Sequence, residues 1–285
     1  MRGRSVILMG GPDTGKTNYV ARLWHALDAK DGVLRAVNIP PDITFVEESI
    51  AHLFAGEFVP RSYLTEDSRR DFVISVTTAE GDPPTKLVIP DISGELWRNA
   101  VLSSEISAEW MDELCRADGA ILFVRVLSEL NERPLDWVTA GKLLADLGEE
   151  DGRIGLPTQV MLCELLRFLE VSLAKRPDGG KPRVAIVVSA WDMVDDETAA
   201  NGPENFLALE YPMLAGKLRN MLSMEVRTFG LSIVGGDIGK SEEYRNEFLD
   251  TDFRKTGWVS TNDRPDGKWH KNPDVTLPIA WVIRG

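Results

Sequence analysis

Residues Gly10 to Thr17 read GGPDTGKT, which fits the spacing G-x-x-x-x-G-K-[S/T]. In that pattern glycines let the backbone curl around phosphate oxygens, a lysine neutralises the outer phosphates and a hydroxyl helps to hold magnesium. Gly10, Gly15, Lys16 and Thr17 supply the four fixed positions. Gly11, Asp13, Thr14 and Asn18 belong to the same stretch and complete the expected nucleotide-contacting set. The apolar strand SVILM precedes the motif and the amphipathic NYVARLWHAL follows it, so the loop is expected to open a helix whose N-terminus faces the phosphates. The competing reading is a Gly-Pro-Asp turn with an incidental lysine. Asp13 lends it weight, because a carboxylate beside phosphate is unfavourable unless it points away.

A second element is KLVIPDISGE. Asp91 stands at the end of an apolar run, where an acid completes a magnesium shell. The D-x-x-G of Asp91 to Gly94 places a glycine N–H where it can meet a terminal phosphate and let the next segment move when that phosphate leaves. Glu95 follows directly. It either orients an attacking water or merely favours a helix N-terminus. A third element is VVSAWD, whose Asp192 follows an apolar run and can accept hydrogen bonds.

These motifs need a scaffold. Apolar runs bounded by turn signals alternate with segments of helical period, which argues for an α/β fold. Strands are expected at 5–9, 71–78, 86–91, 119–126, 183–190 and 226–234. Between the second and third lies AEGDPP, too short for a crossover, so that pair is expected to be an antiparallel hairpin. Helices are expected at 15–29, 43–55, 104–116, 134–147, 158–175 and 204–221. The chain reads as one decorated domain over 1–285, with a helical insertion at about 128–182 and a polar loop insertion at about 235–274. The apolar TQVMLCELLRFLEVSLAK within the first insertion reads as core or as a partner surface.

Charge narrows the function. Lys and Arg total 32 against 45 Asp and Glu, a net charge of −13, so the surface repels nucleic-acid backbones and anionic lipid. Any phosphate must be captured locally. Cys115 and Cys163 sit far apart in apolar segments, which suits buried thiols in a reducing cytoplasm rather than a disulfide or a metal site. No apolar run is long enough for a secretory signal core or a bilayer span, so a cytoplasmic protein is expected.

GGPDTGKT, DISGE and SAWD, in that order and on those strands, resemble the translation-factor-related (TRAFAC) class of Ras-like P-loop GTPases. More narrowly, GPDTGKTNYVARLWHAL, DISGE and the closing PIAWVI resemble bacterial double-GTPase-type domains, associated with paired GTPases in conflict or defence-like systems. The resemblance implies a three-layer, mostly parallel sheet with one antiparallel strand from the hairpin. It also implies GTP/GDP and Mg2+ as ligands, hydrolysis of GTP, and a protein partner, regulator or effector, that reads the nucleotide state and can be a second GTPase. On this resemblance Lys16 and Gly94 hold and sense the γ-phosphate, and Thr17 and Asp91 hold magnesium. A switch threonine should come from FAGEFVPRSYLTEDSRRD, where Thr65 is preferred to Ser62. Arg61, Arg69, Arg70 and Arg98 are candidates for an internal arginine finger, or simply a charged loop face.

The chain departs from the family at the base pocket. Where N-K-x-D is the rule it has Ser189, Ala190, Trp191 and Asp192. Without the lysine stem one ring face lacks a cover, which Trp191 or a residue from elsewhere would provide; the alternative for Trp191 is packing in a loop. Ser232 to Gly235 are expected to offer backbone N–H groups to the guanine carbonyl. Glu95 stands where a glutamine is usual, which predicts slow hydrolysis without a partner. A P-loop small-molecule or nucleoside kinase and a nucleotide-holding scaffold with little turnover remain the alternatives. A kinase would need an arginine-bearing lid, and Arg153, Arg167 and Arg176 do not cluster as one in the sequence. His25, beside Trp24 on the first helix, is expected to pack rather than to catalyse.

Overall fold

A computed structural model describes residues 3–40, 42–59, 70–78, 83–91, 93–128, 131 and 156–284. Among them nine strands form one sheet: β1 (Arg4–Met9), β2 (Leu34–Ala36), β3 (Arg70–Thr78), β4 (Thr85–Asp91), β5 (Gly119–Arg125), β6 (Arg183–Ser189), β7 (Glu225–Ser232), β8 (Trp258–Thr261) and β9 (His270–Asn272). Their order is β2-β3-β4-β1-β5-β6-β7-β8-β9. The pairs from β4 through β1, β5 and β6 to β7 are parallel. The helices are α1 (Lys16–Ala29), α2 (Thr44–Phe54), α3 (Gly94–Ser103), α4 (Ala108–Arg116), α5 (Thr158–Ser172), α6 (Asp196–Glu210), α7 (Pro212–Arg219), α8 (Glu242–Asp250) and α9 (Leu277–Ile283).

The central strands are apolar on both faces because helices cover both. In β1, Val6 and Leu8 face one core while Ile7 and Met9 face the other. Ile121 and Phe123 of β5 join the first, and Ala120, Leu122 and Val124 the second. The first core is closed by Tyr19, Leu23 and Leu27 of α1 and by Ile279 and Val282 of α9. The second is closed by Trp97 of α3, Leu114 of α4, Leu165 and Leu169 of α5, and Leu214 of α7. Leu, Phe and Trp side chains buried this completely contribute about 1.5–3 kcal/mol each, and the two cores hold β1 and β5 rigid beneath the loops at their C-terminal ends. Most of the apolar α5 sequence is therefore core, although Val171 remains exposed.

All six expected strands are present, and the hairpin pairs Phe72 with Ile89 and Ile74 with Leu87. The expectation of a single antiparallel strand is corrected by β8, which runs antiparallel to β7 and is followed by β9 in a second antiparallel pair. Short β2 extends the hairpin edge by pairing antiparallel with β3. The polar 235–274 stretch thus carries α8 and two short strands, not only loop.

Helix boundaries moved for local reasons. The expected 204–221 helix begins at Asp196, breaks at Gly202, whose φ is 83°, and breaks again at Tyr211 before Pro212. The expected 104–116 helix starts only at Ala108, capped by Ser107, and a separate α3 precedes it. The 134–147 helix lies outside the described residues. Cys115, expected buried, is exposed, because Trp110, Leu114 and Ala117 turn inward at helical spacing and leave it on the outer face of α4. Cys163 is half-buried, and desolvation pushes its thiol up. No helix among the described residues is long and apolar enough to cross a membrane.

Candidate functional site

The phosphate loop runs from the end of β1 into α1. Gly15 occupies the N-cap of α1 at φ 85°, a left-handed conformation that favours glycine. No side chain caps α1 and its first turn holds no acid, so its N-terminal N–H groups face outward without a built-in anion. The Lys16 ammonium donates to the carbonyls of Gly10 and Gly11, both at 2.9 Å, and lies 3.3 Å from Thr14 Oγ1. Thr14 in turn donates to Gly11 O at 2.9 Å. An uncapped helix start with a lysine folded over the loop fits a polyphosphate and its magnesium. Thr17 lies in the first turn of α1. Asn18 accepts the Val59 N–H at 3.0 Å and thereby ties the segment after α2 to this helix.

Asp13, the awkward residue of the motif, is neutralised. It adopts φ 60°, and the Arg125 guanidinium lies 2.8 Å from both its carboxylate and its carbonyl oxygen.

The second element closes on the loop from the side. Asp91 is the last residue of β4 and pairs in register with Arg70. Ser93 caps α3 by accepting the Leu96 N–H at 3.1 Å. Gly94 begins the helix packed so tightly that a Cβ there would stand 2.4 Å from Pro12 N and 2.5 Å from Gly11 C and O. Trp97, one turn on, donates its indole N–H to Leu8 O at 3.2 Å. The DxxG turn and the phosphate loop are therefore in direct backbone contact. Glu95 sits in the first turn of α3, where a carboxylate also favours the helix dipole.

The third element is held by side chains that differ from the family pattern. Ser189 is buried and donates to Thr14 O at 2.9 Å, so it ties the base-pocket strand to the phosphate loop. Asp192 lies in a short 3-10 turn after Ala190, which adopts a left-handed φ of 55°. Burial pushes its carboxyl up. A hydrogen bond with Ser232 opposes that shift, nearby Asp237 adds to it and Arg125 works against it. Ser232 is completely buried and also accepts the Gly235 N–H at 2.8 Å. The Ser232 side chain thus holds the Gly235 N–H. Trp191, expected to cover the base, is corrected: it is 1% exposed, packed edge-on against Phe206 and pressed onto Gly230. Its size suits the second core, and none of its face is left for a ligand.

A cavity of about 300 Å³ joins the first and third elements. It is bordered by Asp13, Thr14, Gly15 and Asn18 at one end and by Ser189 and Asp192 at the other. Phe58, Arg125 and Lys240 also line it and were missed from sequence. Arg125 had a signal, a lone charge ending the apolar run GAILFV. Tyr244 of α8 donates to the O of Val234, a lining residue, at 2.8 Å, while Arg245 reaches Ala55 O at 3.0 Å. Ser62, Thr65, Arg61, Arg69 and Arg153 lie outside the described residues. His25 packs between the rings of Phe54 and Phe253, and burial lowers its pKa. Arg167 and Arg176 pair with Glu164 and with Asp178 and Glu225, so neither is placed as a lid cation.

Several solved structures are similar to this chain at low identity. The signal recognition particle receptor SRb-GTP/SRX complex from Chaetomium thermophilum matches at 17% identity and TM-score 0.41, over 88% of this chain and 99% of that one. The bacterial selenocysteine-specific elongation factor EF-Sec matches at 16% identity and TM-score 0.36 over 88% of this chain, which spans only 29% of that longer one. The G domain of the T. maritima FeoB iron transporter matches at 14% identity and TM-score 0.35, over 88% of this chain and all of that one, 100%. No curated protein gives a match. A family model described as Double-GTPase 1 matches residues 7–282, nearly the whole chain and all three motifs. The chain belongs to the Double-GTPase 1 family of GTP-binding and GTP-hydrolysing P-loop proteins.

Proposed function

We propose that this GTPase is a magnesium-dependent cytoplasmic switch, slow on its own, whose nucleotide state is read by a protein partner, with a second GTPase of a bacterial conflict system as the leading candidate. The observation that carries the site assignment is the cavity shared by the phosphate loop and Asp192, which matches the two chemically distinct ends of one guanine nucleotide. In this reading Lys16 and the N–H groups at the start of α1 hold the β and γ phosphates. Thr17, Asp91 and Thr65 hold magnesium, which supplies positive charge to the phosphate oxygens when bound. Gly94 senses the γ-phosphate through its N–H, and Asp192 accepts from the guanine edge. Phosphoryl transfer to water needs mainly positioning and charge stabilisation, which this arrangement supplies.

The test is to purify the full chain in magnesium, extract the nucleotide that copurifies and titrate GDP, GTP, ADP and ATP by calorimetry. Guanine nucleotides are expected both in the extract and as the tighter ligands. A folded chain that binds no purine triphosphate refutes the assignment. Phosphate release that never exceeds background, even with cellular extract, would favour the scaffold reading.

Glu95 decides the intrinsic rate. Its carboxylate adds negative charge beside a reaction that develops more, whereas a neutral amide orients water without that cost. Glu95→Gln is expected to speed single-turnover GTP cleavage about tenfold, a barrier change of about 1.4 kcal/mol. Glu95→Ala, which orients nothing, should not reproduce the gain. Equal rates in all three would confine Glu95 to favouring the α3 N-terminus.

A further inference from the structure

The family pattern places a lysine where this chain has Ala190, and with it goes an alkyl stem that would wall one face of the base. Trp191 cannot substitute, because it is buried in the core. We infer that Arg125, delivered from the neighbouring strand β5, replaces that lysine: its stem walls the base end of the cavity and its guanidinium clamps the phosphate loop at Asp13. This rests on the guanine-nucleotide reading of the cavity and assigns a further binding residue to it.

Three observations support the assignment. Arg125 lines the same cavity as Asp192 and Ala190. Its guanidinium is fixed at 2.8 Å to both the carbonyl and the carboxylate of Asp13, so the side chain spans from β5 to the loop instead of waving in solvent. Its own backbone is pinned as well, since the buried Tyr211 donates its hydroxyl to Arg125 O at 3.2 Å and the next residue, Val126, donates its N–H to Ser189 O at 3.1 Å. Residues from two strands thus meet on the phosphate loop. Ser189 ties the base strand to Thr14, and Arg125 supplies the stem and the cation. A guanidinium with an aliphatic stem suits this position, because it can lie flat along a purine while keeping two donors on the loop.

The experiment uses the full-length protein with fluorescent GDP, measuring dissociation rate and affinity for the wild type, Arg125→Ala, Arg125→Met, Arg125→Lys, Asp13→Ala and the Asp13→Ala/Arg125→Ala pair. Arg125→Ala is expected to release GDP about 30-fold faster, since most affinity differences within one site lie in the off-rate. Arg125→Met, which keeps a stem, should lose less, and Arg125→Lys should recover most of the affinity. The melting temperature without nucleotide should barely move, because an ion pair this exposed adds little to the fold. Should Arg125→Ala misfold, the methionine and lysine variants still separate stem from charge. Wild-type release rates in Arg125→Ala overturn the inference. So does full rescue by Asp13→Ala, which would reduce Arg125 to neutralising one carboxylate. A wild type that does not bind GDP at all refutes the guanine reading itself, a result distinct from either.

Discussion

Gly94→Ala is expected to cost at least about 100-fold in GTP affinity, equivalent to about 2.7 kcal/mol, with a measurable loss of stability besides. The new Cβ would stand 2.4–2.5 Å from Pro12 N and from Gly11 C and O, far inside contact distance. Those atoms belong to the backbone of the phosphate loop, so they cannot rotate away as a side chain would. Either α3 retreats, straining the bond from Trp97 to Leu8 O, or the loop deforms, displacing the Gly10 and Gly11 carbonyls that aim Lys16. Both routes spoil the same geometry, because the helix that would sense the γ-phosphate rests directly on the loop that would bind it. Gly216→Ala is the control: no heavy atom lies within 4 Å of its Cβ position in α7, so the substitution should leave affinity unchanged and stabilise slightly through helix propensity. Calorimetric titration with GTP and a thermal melt of each variant check both halves. Wild-type affinity in Gly94→Ala would mean that the DxxG turn and the loop are not coupled.

Which parts of this architecture were readable from the chain depends on how locally each is encoded. The six main strands were legible because each is an apolar-rich run bounded by turn signals, and the phosphate loop because its spacing constrains backbone, cation and hydroxyl together. The β3–β4 hairpin was legible because AEGDPP leaves no room for a crossover. In contrast, β2 is three residues long, and β8 and β9 are short strands in a polar stretch, so none has a period to detect. Their existence follows from pairing partners far away in sequence, β2 on β3 and β8 on β7. The base pocket shows the same limit. Asp192 could be proposed from its place after a strand, but the fate of Trp191 depended on Phe206 and Gly230, which lie far from it in sequence and fill the space around the indole. Arg125 was visible as a charge at the end of an apolar run, yet its role required knowing that Asp13 lies within its reach.

Asp192→Asn is expected to lower GTP and GDP affinity about 100-fold while leaving weak ATP binding unchanged. Two donors of guanine, the ring N–H and the exocyclic amine, need two acceptors. An asparagine offers one acceptor and turns an amide N–H toward a donor, losing charged hydrogen bonds worth about 1.5–3 kcal/mol each. A xanthine nucleotide, which presents a carbonyl in place of the amine, should gain where guanine loses. The pH dependence separates this role from a structural one. Burial raises the folded carboxyl of Asp192 above the ordinary aspartate value, against the Ser232 hydrogen bond. Base recognition needs the ionised form, so wild-type GDP affinity should fall as pH drops through the raised value, beginning above the normal aspartate range. Asp192→Asn should not show that fall. The linkage to folding has the opposite sign, because a carboxyl raised in the folded state contributes most below its unfolded pKa, and that contribution is lost as pH rises through the folded one. At neutral pH the wild type therefore holds a desolvated charge that a guanine edge relieves, whereas the asparagine variant holds none. Without nucleotide the variant should melt no lower than the wild type, and it should gain far less from added GDP. A variant that retains the wild-type preference for GDP over ADP would transfer base reading to another group in the cavity.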